Sequence, residues 1–330
     1  AEAGVNHNGN LNTAKELIDV AFQAGADCVK FQSFNSDKLT LKSAKIAKYQ
    51  DKSGVLSSQY DLLKKLELTK SDFIELANYA KNVGIEFMST AFDIDNLESL
   101  LKIPVKKIKI PSGELTNYEL LEHIGKINMT TFLSTGMATL EEVNFAVNIL
   151  YDSGLNKNKL IIMQCTSLYP TPDADVNLKA IETLSSEFGV PIGFSDHSLG
   201  IEVSLAAVAL GSIAIEKHFT LDKQMEGPDH LMSLNPKELV NWVSGIRRVE
   251  QALGDGCKVP ADGEFEMREN ARRSLVSSAK IRKGEVFGLH NITAKRPGTG
   301  LSPINWKRIM GLKSNRDYEK DELIDLNIWD

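Results

Sequence analysis

Apolar and polar positions along the chain repeat one rhythm: a short β-like run, a polar turn, then an amphipathic stretch of helix length. The first run is Ala1–Val5. Leu11, Ala14, Leu17, Ile18 and Ala21 then fall on one helical face and predict a helix over Leu11–Ala24. The second strand is Cys28–Gln32. A Lys- and Ser-containing excursion from Ser33 to about Thr69 precedes a helix over Phe73–Val83. Six further strands are expected at Phe87–Thr90, Lys107–Ile110, Thr131–Ser134, Leu160–Gln164, Ile192–Ser195 and Ile213–Lys217. Helices are expected near Asn96–Leu101, from Tyr118, and over Leu140–Leu150, Leu178–Phe188 and Ile201–Leu210, with Pro236–Leu253 completing the count.

Eight β-α units in about 250 residues match a (β/α)8 TIM barrel. An open doubly wound sheet shares the alternation, but the count of eight favours the barrel, and the first β-α turn lacks G-x-G-x-x-G. The rhythm stops after Leu253. Gly254-Asp255-Gly256 is a turn signal, and a polar, charged stretch follows to Asn270. From Arg273 short strands and Gly/Pro turns replace the helical pattern. The expected organisation is a barrel over 1–255, a linker over 256–272 and a small, mainly β domain over 273–330. At about 55–60 residues that last domain is small for independent stability, so it is expected to pack on something such as a second subunit.

Composition narrows the class. The 330 residues are 42% hydrophobic and 25% charged, which excludes a disordered or collagen-like chain. No apolar run approaches the ~18 residues of a membrane span. A formal net charge of −6 argues against a nucleic-acid-coating surface, though not against a local basic pocket. Cys28, Cys165 and Cys257 form no C-x-x-C pair, as expected in a reducing, cytoplasmic compartment. Nothing reads as a signal peptide. The chain starts inside a strand-like run without Met, so a few further N-terminal residues are expected.

Chemistry in such a barrel gathers at the C-terminal ends of the strands. Lys30 and Lys109 end apolar runs, where an unpaired charge is costly. Each could pair with a buried carboxylate such as Glu2 or Glu114. The favoured reading is an anion site in which Ser112, Ser134 and Thr90 add directed hydrogen bonds, and a Schiff-base lysine is a third reading. His197 and His218 lie on neighbouring strand ends, flanked by Asp196 and Glu216, and read either as ligands of a divalent metal with open positions or as satisfied core groups. His7 reads as a turn residue bonding the first loop. Glu2 and Glu114 could do general acid/base work or pair with the lysines. Cys165 reads as a packing residue.

Several motifs carry a resemblance. Ala1-Glu2-Ala3-Gly4-Val5-Asn6-His7-Asn8-Gly9, Lys30-Phe31-Gln32-Ser33, Lys109-Ile110-Pro111-Ser112-Gly113-Glu114, Leu133-Ser134-Thr135-Gly136-Met137, Cys165-Thr166-Ser167-Leu168-Tyr169-Pro170, Ser195-Asp196-His197 and Glu216-Lys217-His218-Phe219-Thr220 resemble, in order, the sialic acid synthases. These nonulosonate synthases make N-acetylneuraminate, legionaminate or pseudaminate. The tail from Arg273, with Ile281-Arg282-Lys283-Gly284-Glu285 and Lys295-Arg296-Pro297-Gly298, is similar to that family's antifreeze-like (SAF) domain.

The resemblance implies a transferase that condenses phosphoenolpyruvate with an open-chain N-acyl hexosamine and water, releasing phosphate by C–O cleavage. N-acetylmannosamine is the first expectation, and a 6-deoxy diacetamido hexose, for a legionaminate or pseudaminate synthase, is the alternative. By the resemblance, His197 and His218 hold a divalent metal, Mn2+ ahead of Mg2+ or Co2+, with Glu2 and Asp229 near its waters. Lys30, Thr90, Lys109, Ser112, Ser134, Ser167 and Ser195 bind phosphoenolpyruvate. Gln32, Glu114, Tyr169 and Asp229 face the sugar, joined by Arg296 of a partner subunit in a homodimer whose C-terminal domains are swapped. Glu114, Glu2, Lys109 and Asp229 are the expected catalytic groups. Two features depart from some family members: Ser167 stands where they carry Asn, and Asn270-Ala271-Arg272-Arg273 stands where they place an aromatic against the sugar. A Schiff-base pyruvate aldolase and a non-enzymatic sugar-binding protein are the rival classes.

Overall fold

The computed structural model describes residues 1–45 and 58–327. Eight parallel strands run in sequence order around one sheet: β1 (Glu2–Gly4), β2 (Cys28–Ser33), β3 (Glu86–Ala91), β4 (Lys107–Ile110), β5 (Thr130–Ser134), β6 (Leu160–Cys165), β7 (Ile192–Asp196) and β8 (Ile215–Lys217). The sheet closes where Glu2 bridges His218 and the Phe219 N–H donates to the Glu2 carbonyl at 3.0 Å. Closure removes the open edges of an eight-stranded sheet and makes it a (β/α)8 barrel.

The helices between the strands bury the faces their apolar spacing marks. Leu11–Gln23 buries Ala14, Leu17, Ile18 and Ala21, and Pro236–Leu253 buries Leu239, Trp242, Val243 and Ile246. Their starts are set by side chains that satisfy the free N–H groups of a first turn. Asn10 caps the helix after β1, and Thr139 with Glu142 forms a reciprocal capping box on Leu140–Asp152 after β5. The Ser33–Thr69 excursion carries short helices at Ser36–Leu39 and Gln59–Leu66, and its stretch 46–57 lies outside the described residues. Leu62 and Leu66 cluster there with Val5 and Phe34.

The chain divides into two compact units, Ala1–Gly254 and Asp255–Asp330. The stretch expected as a linker holds a helix, Glu264–Ala271, with no buried residue. It has no apolar stripe, so periodicity could not announce it. In the second unit β9 (Ser274–Ser277) pairs antiparallel with β10 (Ile292–Lys295) over a core that includes Leu275, Ile281, Phe287, Ile292 and Tyr318. Among the described residues, no helix is long and apolar enough to cross a membrane.

Gly125 shows how tightly the barrel's outer layer packs. A Cβ there would lie 2.5 Å from the Ser153 Cβ and 2.7 Å from the Leu150 carbonyl oxygen. Gly→Ala inside a helix ordinarily stabilises by up to about 1 kcal/mol. Here Gly125→Ala should instead destabilise, by about 1–3 kcal/mol as overpacking does, and lower the thermal midpoint. A raised midpoint would show that the two helices can separate cheaply.

Candidate active site

Strand register brings the polar strand ends to a common level. Glu2 pairs with Lys30, Gln32 with Thr90, Thr90 with Lys109, Cys165 with Ser195 and Ser195 with Glu216. Inside the barrel these residues form one ion network. The Lys30 ammonium lies 2.7 Å from Glu2 Oε2 and 3.5 Å from Glu216 Oε2, and donates to Thr90 Oγ1 at 3.1 Å. Lys109 donates to both Glu216 oxygens, at 2.8 and 2.7 Å, and Ser195 Oγ donates to Glu216 Oε1 at 2.9 Å.

Both lysines are buried, and an unpaired ammonium there would be strongly disfavoured. Burial pulls the Lys109 pKa below its ordinary value, with Glu216 resisting. Burial also works against the charge on Lys30, but Glu2 and Glu216 outweigh it and raise the pKa. Burial opposes the Glu216 charge as well, yet Lys109 and Lys30 hold its carboxyl well below the usual range. Glu2 goes the other way, raised by burial.

Next to this network three strand ends converge. The Gly136 N–H donates to Ser112 Oγ at 2.9 Å. A Cβ on Gly136 would lie 2.2 Å from Ser167 Oγ and 2.8 Å from Ser112 Oγ, so only glycine lets both hydroxyls close over this backbone. Ser134, the last residue of β5, is buried two positions before Gly136. Cys165 Sγ sits 3.7 Å from Ser112 Oγ and 3.8 Å from His197 Nδ1. Burial works against ionising this thiol, but His197, Lys109 and Ser112 together bring its pKa below the ordinary value.

The two histidines stand side by side, ring centroids 5.5 Å apart, with the half-buried Tyr169 ring 4.2 Å from His197. His197 Nδ1 bonds the Thr166 carbonyl at 2.8 Å, which leaves Nε2 as its lone-pair nitrogen. His218 packs where a Gly4 Cβ would come within 3.2 Å of its Cε1, at a residue whose φ of +54° also suits glycine. Its buried Nδ1 has no hydrogen-bond partner and lies 4.0 Å from Asp229 Oδ2. Burial, His197 and Lys30 drive the His218 pKa well below its ordinary value, so the ring is neutral. Burial works against a proton on His197, but Cys165 and the Thr166 carbonyl outweigh it and raise its pKa. With His197 deprotonated, two oriented imidazoles, one with an orphaned nitrogen, fit a divalent cation's donor set. Among the described residues no group of three or more His, Cys, Asp or Glu makes a complete metal cage.

Some expected neighbours lie elsewhere. Lys109 pairs with Glu216 and not with Glu114, which sits half-buried in the turn Ser112–Glu114 and accepts from Asn117 Nδ2 at 2.6 Å. Glu2 is held by Lys30 and by Gln32 Nε2 at 3.3 Å, so Glu2 and Glu114 share no hydrogen-bonded site. Asp196, expected beside the metal ligands, turns to Lys217 at 2.9 Å and to Ser198 and Ser204, because a buried lysine on β8 needs that charge. Arg296 is exposed in the second unit. The sequence marks Glu216 only as a flank of His218. Its position between the two lysines depends on contacts across the barrel, which strand spacing does not reveal. His7 does bond its own turn, accepting from the Gly9 N–H at 3.0 Å.

The model of the NeuB family matches residues 17–258, and that of the SAF domain matches 272–327. N,N'-diacetyllegionaminic acid synthase of Campylobacter jejuni is 46% identical, over 98% of this chain and 97% of its own length. The protein of the same name from Legionella pneumophila is 45% identical, over 94% of this chain and 88% of its own. The crystal structure of an N-acetylneuraminic acid (sialic acid) synthetase from Leptospira borgpetersenii, in complex with citrate, is similar at a TM-score of 0.71 and 38% identity. It covers 81% of this chain and 88% of that one.

Burial lowers the His7 pKa from 6.5 to about 4. Between those values the unfolded chain holds a proton that the folded chain refuses, so stability must fall as pH drops from 6.5 towards 4. The loss from this residue should be about 3 kcal/mol, at 1.36 kcal/mol per pK unit. His7→Asn, which keeps an acceptor for Gly9, should flatten the pH dependence of the urea midpoint over that window. An unchanged slope would mean that His7 does not resist protonation.

Proposed function

This chain belongs to the NeuB family, whose similar members are nonulosonic acid synthases, and we propose that it condenses phosphoenolpyruvate with an open-chain 6-deoxy diacetamido hexose and water. The products are a nine-carbon acid of the diacetyllegionaminate type and phosphate. Two relatives named for that sugar, at 46% and 45% identity, support it over N-acetylmannosamine, the first expectation. Pseudaminate-type sugars are the nearest alternative.

The observation that carries the reading is the buried pair Lys30 and Lys109, beside the hydroxyls of Thr90, Ser112, Ser134, Ser167 and Ser195. Such a cluster suits an anion with a phosphate at one end and a carboxylate at the other. Holding the enol phosphate still turns an encounter of two molecules into an oriented approach to the sugar carbonyl. His197 and His218 would hold a divalent cation, Mn2+ ahead of Mg2+ or Co2+, with Asp229 and Glu2 near it, and the chemistry such an ion supplies when bound is polarisation of that carbonyl. Carbon–carbon bond formation leaves a cationic C2 on the former phosphoenolpyruvate. Glu114, held by Asn117, would take a proton from the water that attacks C2. The tetrahedral adduct then expels phosphate with its bridging oxygen, and Lys30 and Lys109 carry the released charge. Gln32, Tyr169 and Asp229 would face the sugar.

The swapped homodimer belongs to this proposal. Met137, Leu168, Leu199 and Leu231, all in the connections that follow strands, are exposed apolar residues, which supports a cover over the mouth. The second unit of another copy would supply it, with Arg296 reaching the sugar.

Phosphate release should need both phosphoenolpyruvate and a diacetamido hexose, run at least about tenfold slower with N-acetylmannosamine, and stop with EDTA. Equal rates with both sugars would overturn the sugar assignment, and EDTA-resistant turnover would overturn the metal. Borohydride with substrate should not inactivate, since the proposed condensation forms no imine between either lysine and its substrates. Inactivation would favour the aldolase. Mixed Arg296→Ala and Glu114→Ala chains should regain activity that neither has alone. No recovery under subunit exchange would exclude the swap.

A further inference from the structure

Lys30, Lys109 and Ser195 are assigned above to an anionic substrate, yet all three already face one carboxylate. Glu216 takes both its contacts with Lys109, at 2.8 and 2.7 Å, and accepts from Ser195 at 2.9 Å. Its side chain is 17% exposed, against 3% for Lys109 and 8% for Lys30. Lys30 and Glu216 also line a cavity at the strand-start end of the barrel, with Met88, Phe132 and Met163, whereas Lys109, Ser112 and Ser134 do not. Glu216 therefore reaches the lysines from beneath. Ser112 and Ser134 stand at the C-terminal ends of β4 and β5, on the mouth side.

An ammonium carries three N–H donors, and a carboxylate with two oxygens occupies at most two of those on Lys109. At least one remains for a ligand arriving from the mouth. Glu2 and Glu216 together balance the two lysine charges, so neither ammonium is left unpaired.

We infer that Glu216 is a positioning residue for the substrate anion: it braces Lys109 and Ser195 from below and stays in place when phosphoenolpyruvate binds from above. The identity of that anion rests on the proposed condensation; the bracing of two lysines for an anion does not. The rival is a Glu216 that merely fills the anion's seat and is displaced. The two differ in sign. Loss of a brace weakens anion binding, whereas loss of a competitor strengthens it.

The test is calorimetric binding of phosphoenolpyruvate, and of inorganic phosphate, to the full chain without sugar. Glu216→Gln should weaken phosphoenolpyruvate binding at least about tenfold while the sugar KM stays within about twofold. In a Lys109→Met background the same substitution should change anion binding by less than about twofold, because the bidentate partner through which the brace chiefly acts is then gone. Glu216→Gln/Lys109→Met removes both charges of the pair and so avoids a lone buried ammonium. If Glu216→Gln alone does not fold, its comparison with Lys109→Met decides the matter. Unchanged or tighter binding in Glu216→Gln would overturn the brace, as would a full-sized loss that persists without Lys109. A wild-type chain that binds both anions but makes no sugar acid would sink the proposed reaction, and the anion measurements would still judge Glu216.

Discussion

Two lysine ammonium groups inside a barrel constrain everything around them. Neither Lys30 nor Lys109 has water enough to carry its charge alone, so the strands that face them must bring carboxylates to the same level. β1 brings Glu2 and β8 brings Glu216, and the register across β1–β2 and β7–β8 sets both. Glu2 serves twice, because its carbonyl accepts the Phe219 N–H that closes the sheet while its side chain pairs with Lys30. Closure of the barrel and assembly of the charged site thus meet at one residue.

Around that centre the structure separates rigid support from open chemistry. The Ser112 and Ser167 hydroxyls, just past the ends of β4 and β6, crowd over Gly136, where no larger residue fits. Beside them His197 is fixed by the Thr166 carbonyl and His218 packs against Gly4, its Nδ1 without a hydrogen-bond partner. The serine-rich strand ends and the histidine pair share Cys165 as a neighbour, within 3.8 Å of His197 and 3.7 Å of Ser112. Such an arrangement suits a reaction that joins an anionic enol to a polarised carbonyl.

Much of this was legible in the chain. Alternation of short apolar runs with helical stripes gave eight units, and polar residues at the ends of those runs marked the mouth. What periodicity could not supply was partnership. Lys109 and Glu216 are separated by 107 positions, and nothing local distinguishes that pairing from one with Glu114, five residues after Lys109. Asp196 looked like a metal neighbour until Lys217, buried behind it, claimed its charge. The helix Glu264–Ala271 buries nothing, so it left no apolar imprint.

The most direct test of the central claim follows the bridging oxygen of phosphoenolpyruvate. With 18O at that position and a diacetamido hexose present, the account predicts that the released phosphate keeps the label, because water attacks carbon and the C–O bond breaks. Unlabelled phosphate, with 18O retained in the sugar acid, would mean attack at phosphorus and would contradict it.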